Sequence, residues 1–288
     1  MKQAVVTFLF LLITHLVIGQ EITDIHINES LEKSNDTILI DPLSVIPLYI
    51  ETIKKIEGKE RVVTSATGFI YKKNGLYYLI TNWHVVTGKS PYDLKDIIVN
   101  DINISNPEKL RIYIHGINLG TWNSLEIKLH TRKGPQWLEH PNKNKVDVVA
   151  IPLKLRVKEL LQLKINAIND MPQNEEIIVS PSMNVSIIGF PFGFSSYGKF
   201  PIWKTGQVAS DLDIDIDQLP LFYIDAATRG GMSGSPVICR ANSYSTKKGF
   251  TMSSGYSQKF LGIYSGRLPN DSDIGKVWKA KCLDEIIN

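Results

Sequence analysis

Three residues of this 288-residue chain could together do acyl-transfer chemistry: Ser233, His84 and Asp147. Ser233 lies in Arg229-Gly230-Gly231-Met232-Ser233-Gly234-Ser235-Pro236, a glycine-rich turn able to expose a hydroxyl. A serine hydroxyl is a poor nucleophile at neutral pH, so it needs a base, and the base needs a group that orients it. His84 in Thr81-Asn82-Trp83-His84-Val85-Val86 supplies the base, and Asp147 in Val146-Asp147-Val148-Val149 supplies the carboxylate. Taken singly, each residue also has a plain structural reading. The serine string can be a turn leading into a strand, His84 a hydrogen-bonded core histidine, and Asp147 a strand-end residue bound to local backbone N–H groups. Their joint occurrence in the order His, Asp, Ser, 63 (147−84) and 86 (233−147) residues apart, favours the chemical reading.

Residues so far apart must be brought together by the fold, and the chain reads as all-β. Ala66 to Lys72, Lys73-Asn74-Gly75 and Leu76 to Thr81 form a hairpin signature, an Asn-Gly turn between two runs rich in apolar and aromatic residues. Further strands are expected at Leu110 to His115, Ser124 to His130, Asp147 to Leu153, Val185 to Gly189, Phe222 to Ala226, Ser235 to Arg240 and Phe260 to Ser265. No alternation of strands with long helices argues for a parallel α/β sheet. Two helices are expected: a short connection over Val157 to Leu163, and a terminal one over Gly275 to Ile287. In the second, Val277, Trp278, Leu283, Ile286 and Ile287 fall on one helical face. The 59 residues from Thr87 to Lys145 exceed ordinary barrel connections and are a candidate cover for a cleft.

The His84, Asp147 and Ser233 blocks, with Thr67-Gly68-Phe69-Ile70 before them and Gly262-Ile263-Tyr264-Ser265-Gly266 after, resemble those of the chymotrypsin-like (trypsin-fold) serine endopeptidases, especially bacterial secreted members of the glutamyl endopeptidase type. The resemblance runs from about Val45 to the tail. It implies two antiparallel six-stranded-type β-barrels with the active site between them and a C-terminal helix. Residues 43–155 would form the first barrel, carrying His84 and Asp147; residues 156–288 would form the second, carrying Ser233. By position in the motif, the N–H groups of Gly231 and Ser233 would form the oxyanion hole. Ser233, rather than nearby Ser235, matches the nucleophile. Val85 replaces a cysteine common in vertebrate relatives. Met232 replaces the aspartate that pairs there with a freed N-terminus, and methionine offers no charge for such a pair. Removal of residues 20–42 would therefore act by unblocking or by another contact.

The resemblance also implies a pocket for the residue before the scissile bond, with Ala227 at its base beside Thr228. No aspartate stands there to favour Lys or Arg. Tyr264, Ser265 and Gly266 would offer backbone to the substrate as an added strand, with Ser265 close to Asp147. Arg267 could attract an acidic group or face solvent. Thr228 matches a pocket threonine of glutamyl endopeptidases, whereas Tyr264 stands where those enzymes carry histidine.

Composition excludes several other classes. With 43% apolar residues the chain can bury a sizeable core, and a net charge of +3, evenly spread, gives no sign of nucleic-acid binding. Residues 1–19 read as a signal peptide: a charged start, an apolar run from Ala4 to Ile18, and short residues in Val17-Ile18-Gly19. Residues 20–42 read as an extended or disordered leader. Export implies a secreted or periplasmic protein, and the apolar run is shorter than the ~20 residues of a membrane span. Cys239 and Cys282 are either one disulfide or two buried thiols. Asn-x-Ser/Thr triplets begin at Asn28, Asn35, Asn103, Asn184 and Asn270, a motif short enough to arise by chance. Asp211, Asp213, Asp215 and Asp217 suit one face of an exposed strand better than a calcium loop. His115, His130 and His140 lack zinc-ligand spacing. Trp122, Trp137 and Trp203 read as core or loop anchors. The expected protein is a monomeric, cofactor-free serine endopeptidase acting on a peptide or protein. The competing reading is a catalytically silent or latent trypsin-fold protein serving as an interaction or adhesion module.

Overall fold

A computed structural model describes the backbone of residues 22–25 and residues 38–155, 159, 162–269 and 272–288. The expected signal peptide, most of the leader, most of Val157 to Leu163, and Asn28, Asn35 and Asn270 lie outside these residues. The fold is all-β. The C-terminal half is a closed six-stranded antiparallel barrel in the order Asn184–Gly189, Ile202–Val208, Leu221–Asp225, Ile274–Lys279, Gly249–Arg267 and Pro236–Thr246. The N-terminal half differs from expectation: among the described residues it is an eight-stranded sheet without recorded closure. Its order is Ile22–Ile25, Trp122–Lys128, Lys109–His115, Pro47–Ile56, Lys59–Lys73, Leu76–Thr81, Val149–Pro152 and Leu138–Glu139. The hairpin read from Asn74-Gly75 is present, with Lys73 opposite Leu76 and both turn residues at positive φ.

Three expectations are corrected. Gly275 to Ile287 is not one helix, because Ile274–Lys279 is a strand paired on both edges, and only Cys282–Ile286 is helical. Val277 packs inside the barrel, whereas Trp278 packs outside it; burial on both faces removes the strand's period-two pattern and leaves a false helical one. The aspartates at 211–217 occupy turns, not an exposed strand. Consecutive positive φ at Asp217 and Gln218 is incompatible with a strand, and Lys279 Nζ donates to Asp215 Oδ1 at 2.6 Å. Thr87 to Lys145 is not one long connection, since three of the sheet's strands, Lys109–His115, Trp122–Lys128 and Leu138–Glu139, come from it.

Apolar side chains join the two halves. Phe69, Ile80, Val146, Val148 and Ala150 of the sheet meet Ile188, Leu221, Ile238, Ile263 and Trp278 of the barrel, and Leu283, Ile286 and Ile287 of the terminal helix close the same cluster. Fully burying a side chain of this kind contributes about 1.5–3 kcal/mol. The cluster therefore fixes how residues from one half face residues from the other. Cys239 and Cys282 are buried, unpaired thiols, the first inside the barrel and the second in the joining cluster. Trp137 and Trp203 anchor loops by donating to Glu139 and Ser44, and Trp122 packs against His115 and Phe200. His140 meets Glu285 at 2.6 Å, tying the sheet to the terminal helix.

Candidate active site

His84 lies on the short helix Trp83–Thr87, which follows the strand Leu76–Thr81. Val85 and Val86 pull this turn into the core, and Gly88, at φ +63°, ends it by donating to the His84 carbonyl at 2.8 Å. The imidazole is thus turned out of the sheet toward the barrel. Asp147 stands just before the strand Val149–Pro152, with its neighbours Val146 and Val148 buried in the joining cluster.

The carboxylate of Asp147 is 2% exposed and fully engaged. Its Oδ1 accepts the His84 backbone N–H at 2.9 Å; its Oδ2 lies 2.7 Å from His84 Nδ1 and accepts from Ser265 Oγ at 2.8 Å. Asn82 Nδ2 donates to the Asp147 carbonyl at 2.6 Å, locking the same segment from its other side. A carboxylate so placed favours the imidazole tautomer with the proton on Nδ1, leaving the Nε2 lone pair free. That Nε2 is 2.9 Å from Ser233 Oγ. The structure thus brings the three widely spaced residues into one hydrogen-bonded line, with two supplied by the sheet and one by the barrel.

The turn around Ser233 is set by glycine. Met232 N–H donates to the Arg229 carbonyl at 3.3 Å, and Gly231 at φ +88° takes the third position of the turn, as type II geometry requires. A Cβ on Gly231 would overlap the Phe190 carbonyl, and one on Gly234, also at positive φ, would overlap the Thr67 carbonyl. The Gly230 carbonyl accepts from Phe192 N–H at 2.6 Å. Because a trans peptide points its carbonyl and its N–H in opposite directions, the Gly231 N–H faces away from Phe192. No hydrogen bond among the described residues uses the N–H of Gly231 or Ser233. Both are available to an incoming acceptor. Ser235 is buried, its Oγ facing Gly189 without a partner and away from this line.

The residues expected to flank the substrate are gathered beside this turn. Thr228 is buried and its hydroxyl bonds to that of Tyr264, whose ring is packed in the barrel. Burial pushes the Tyr264 phenol up to about 12, so this pair is neutral at physiological pH. Ala227 is exposed next to it. Tyr264, Ser265, Gly266 and Arg267 end the strand Gly249–Arg267, and Gly234 N–H donates to the Tyr264 carbonyl at 2.9 Å. Arg267 and Arg229 both point at Asp273, at 3.5 and 4.0 Å.

Sequence reasoning passed over three contributors. Asn82 was visible only as a neighbour of His84. Thr67 ties both halves to the serine turn: its N–H donates to the Ser233 carbonyl at 2.9 Å and its Oγ1 to the Gly231 carbonyl at 2.8 Å. The segment Pro191–Gly193 carried only a Pro/Gly turn signal, yet it braces the Gly230 carbonyl.

No curated protein sequence matches the chain. Among solved structures it is similar to the Rv3671c protease from M. tuberculosis in its active form, at 16% identity and a TM-score of 0.45, covering 85% of this chain and 80% of that one. It is also similar to the serine endoprotease from Yersinia pestis, at 13% identity and a TM-score of 0.45, covering 87% of this chain and 66% of that one. Residues 66–243, which contain His84, Asp147 and Ser233, match the trypsin-like peptidase domain, and the chain belongs to that family.

Proposed function

We propose that the protein is an exported serine endopeptidase that cleaves peptide bonds through an acyl-enzyme, with Ser233 as nucleophile, His84 as general base and acid, and Asp147 as the group orienting His84. The observation that carries this reading is the unbroken contact line, 2.7 Å from Asp147 to His84 and 2.9 Å from His84 to Ser233. In the first step Ser233 Oγ attacks the substrate carbonyl while its proton passes to His84 Nε2. The resulting oxyanion is received by the Gly231 and Ser233 N–H groups. His84 then gives the proton to the leaving amine, and water repeats the sequence on the acyl-serine. Ser265 stabilises the charge that Asp147 keeps throughout.

The residue before the scissile bond would rest against Ala227, Thr228 and the Tyr264 hydroxyl, and the preceding residues would pair with Ser265 to Arg267. That wall is polar and uncharged. The two arginines at its rim share Asp273, which lowers the pull they exert on an acidic side chain relative to free guanidinium groups. A neutral residue is therefore favoured there over glutamate or aspartate. Cleavage of a diverse peptide library, with new termini read by mass spectrometry and Ser233→Ala as control, tests this reading. Cuts lost in the control and following neutral residues are expected. Cuts that persist in Ser233→Ala contradict the mechanism, and cuts confined to Glu or Asp contradict the pocket.

A further inference from the structure

Beyond the serine turn lies a segment that the mechanism does not use, Phe190-Pro191-Phe192-Gly193-Phe194, with three phenylalanines in five residues. We propose that Phe192 and Phe194 form a binding site for the departing side of the substrate, selecting peptides with an apolar or aromatic side chain after the scissile bond. This rests on the serine endopeptidase reading above.

Position is the first argument. The serine turn is flanked on one side by the end of the strand Gly249–Arg267, through Gly234 N–H and the Tyr264 carbonyl, and that side would receive the acyl portion. On another side it is flanked by Phe190–Gly193: Phe192 N–H holds the Gly230 carbonyl, and Gly231 packs against the Phe190 carbonyl. Phe190 N–H in turn donates to Thr67 Oγ1 at 3.2 Å, the hydroxyl that donates to the Gly231 carbonyl. With the acyl portion running along Tyr264 to Arg267, the departing peptide leaves away from that strand, and Phe190–Gly193 is a flank of the turn that the strand does not occupy. Phe192 is the residue fixed there.

Backbone geometry is the second. Phe192 has φ +54° and ψ +20°, the left-handed region that a bulky aromatic residue rarely occupies. Strain of this kind persists where the surroundings over-determine it, and it gathers at functional sites. Here it directs a large apolar ring outward: Phe192 is 63% exposed and Phe194 64%. Their ring centroids are 6.2 Å apart with planes at 64°, an edge contact that leaves aromatic surface open on both. The segment behind them is braced. Phe190 is buried with its ring edge-on to Tyr49 at 5.2 Å, and Lys199 Nζ lies 3.9 Å from the Tyr49 ring centroid. Two exposed rings on a fixed support offer apolar contact at little entropic cost to the protein.

The test compares substrates that share one acyl sequence, taken from the library, and differ only after the scissile bond. One series carries Leu, Phe, Ser or Asp there; a matching ester carries no residues on that side and reports the serine line alone. The expected kcat/KM for the Leu and Phe peptides is about tenfold above that for Ser and Asp, and this ratio falls toward unity in Phe192→Gly and in Phe194→Ser. A ratio near unity in the wild-type protein overturns the proposal, as does a ratio that survives both substitutions. So does a loss on the ester equal to the loss on the peptides, which would make the segment only a brace for the serine turn. A wild-type protein that turns over neither ester nor peptide fails at the endopeptidase reading, and this inference falls with it.

Discussion

At the scale of single residues, the site depends on how completely Asp147 is satisfied. Buried and holding His84 by both its backbone and its ring, Asp147 sets the tautomer that frees Nε2. Asp147→Asn should therefore lower kcat by a factor on the order of 10³–10⁴ while KM changes little, because the amide favours the wrong tautomer. Ser265→Ala removes one charge-assisted hydrogen bond and leaves the others, so a loss of roughly tenfold in kcat is expected. Steady-state kinetics on a cleaved library peptide measures both. These residues were legible in the sequence because reactive groups travel with small, recognisable neighbours: the glycines around Ser233 and the apolar flanks of His84 and Asp147. Thr67 and Asn82 were not, since their roles are hydrogen bonds to backbone across the fold, and a threonine or asparagine carries no mark of such a partner in its own neighbourhood.

At the scale of elements, compact runs of Val, Ile and Phe could be read as strands even where both faces are buried, as in Val149–Pro152 and Leu221–Asp225, whereas Ile202–Val208 and Ile274–Lys279 could not. The turn at Asn74-Gly75 follows from local chemistry alone. Ile274–Lys279 was hidden because Val277 faces the barrel interior and Trp278 the joining cluster, so its apolar residues do not alternate and instead fall at helical spacing with Leu283, Ile286 and Ile287. The short helix after it, Cys282–Ile286, acts as a wedge through Leu283, which is fully buried. Leu283→Ala should lower unfolding stability by about 2–5 kcal/mol, seen as a lower denaturation midpoint in urea. A second element-level effect concerns His115, at the end of the strand Lys109–His115 and packed against Trp122 and Phe200. Burial, with a smaller contribution from the Lys164 charge, holds its imidazole down at about 4 against an ordinary 6.5. A histidine kept neutral in the folded state binds its proton more readily when unfolded. Its contribution is therefore complete above pH 6.5 and lost as pH falls toward 4, amounting to about 3 kcal/mol. Equilibrium unfolding of His115→Phe, which fills the same aromatic niche without a titratable nitrogen, should show a shallower decline over that interval.

At the scale of the whole molecule, the proposed catalytic arrangement belongs to neither half. The sheet supplies His84 and Asp147, the barrel supplies Ser233 and Ser265, and the apolar cluster between them sets the distance. This division was legible in the sequence as an order of motifs, but the shape of each half was not. Closure of a sheet depends on strand tilt and register over long separations, which local patterning does not encode. Because the two halves are already joined at a 2.9 Å contact from His84 Nε2 to Ser233 Oγ, the nucleophile should be activated without substrate. Fluorophosphonate labelling between about pH 6 and 9, the range over which an ordinary histidine becomes neutral, tests this. The adduct would be located by mass spectrometry, with Ser233→Ala as control. A single adduct on Ser233, absent from the control, is the expected result; no adduct at any pH in that range, or one that persists in Ser233→Ala, would contradict it.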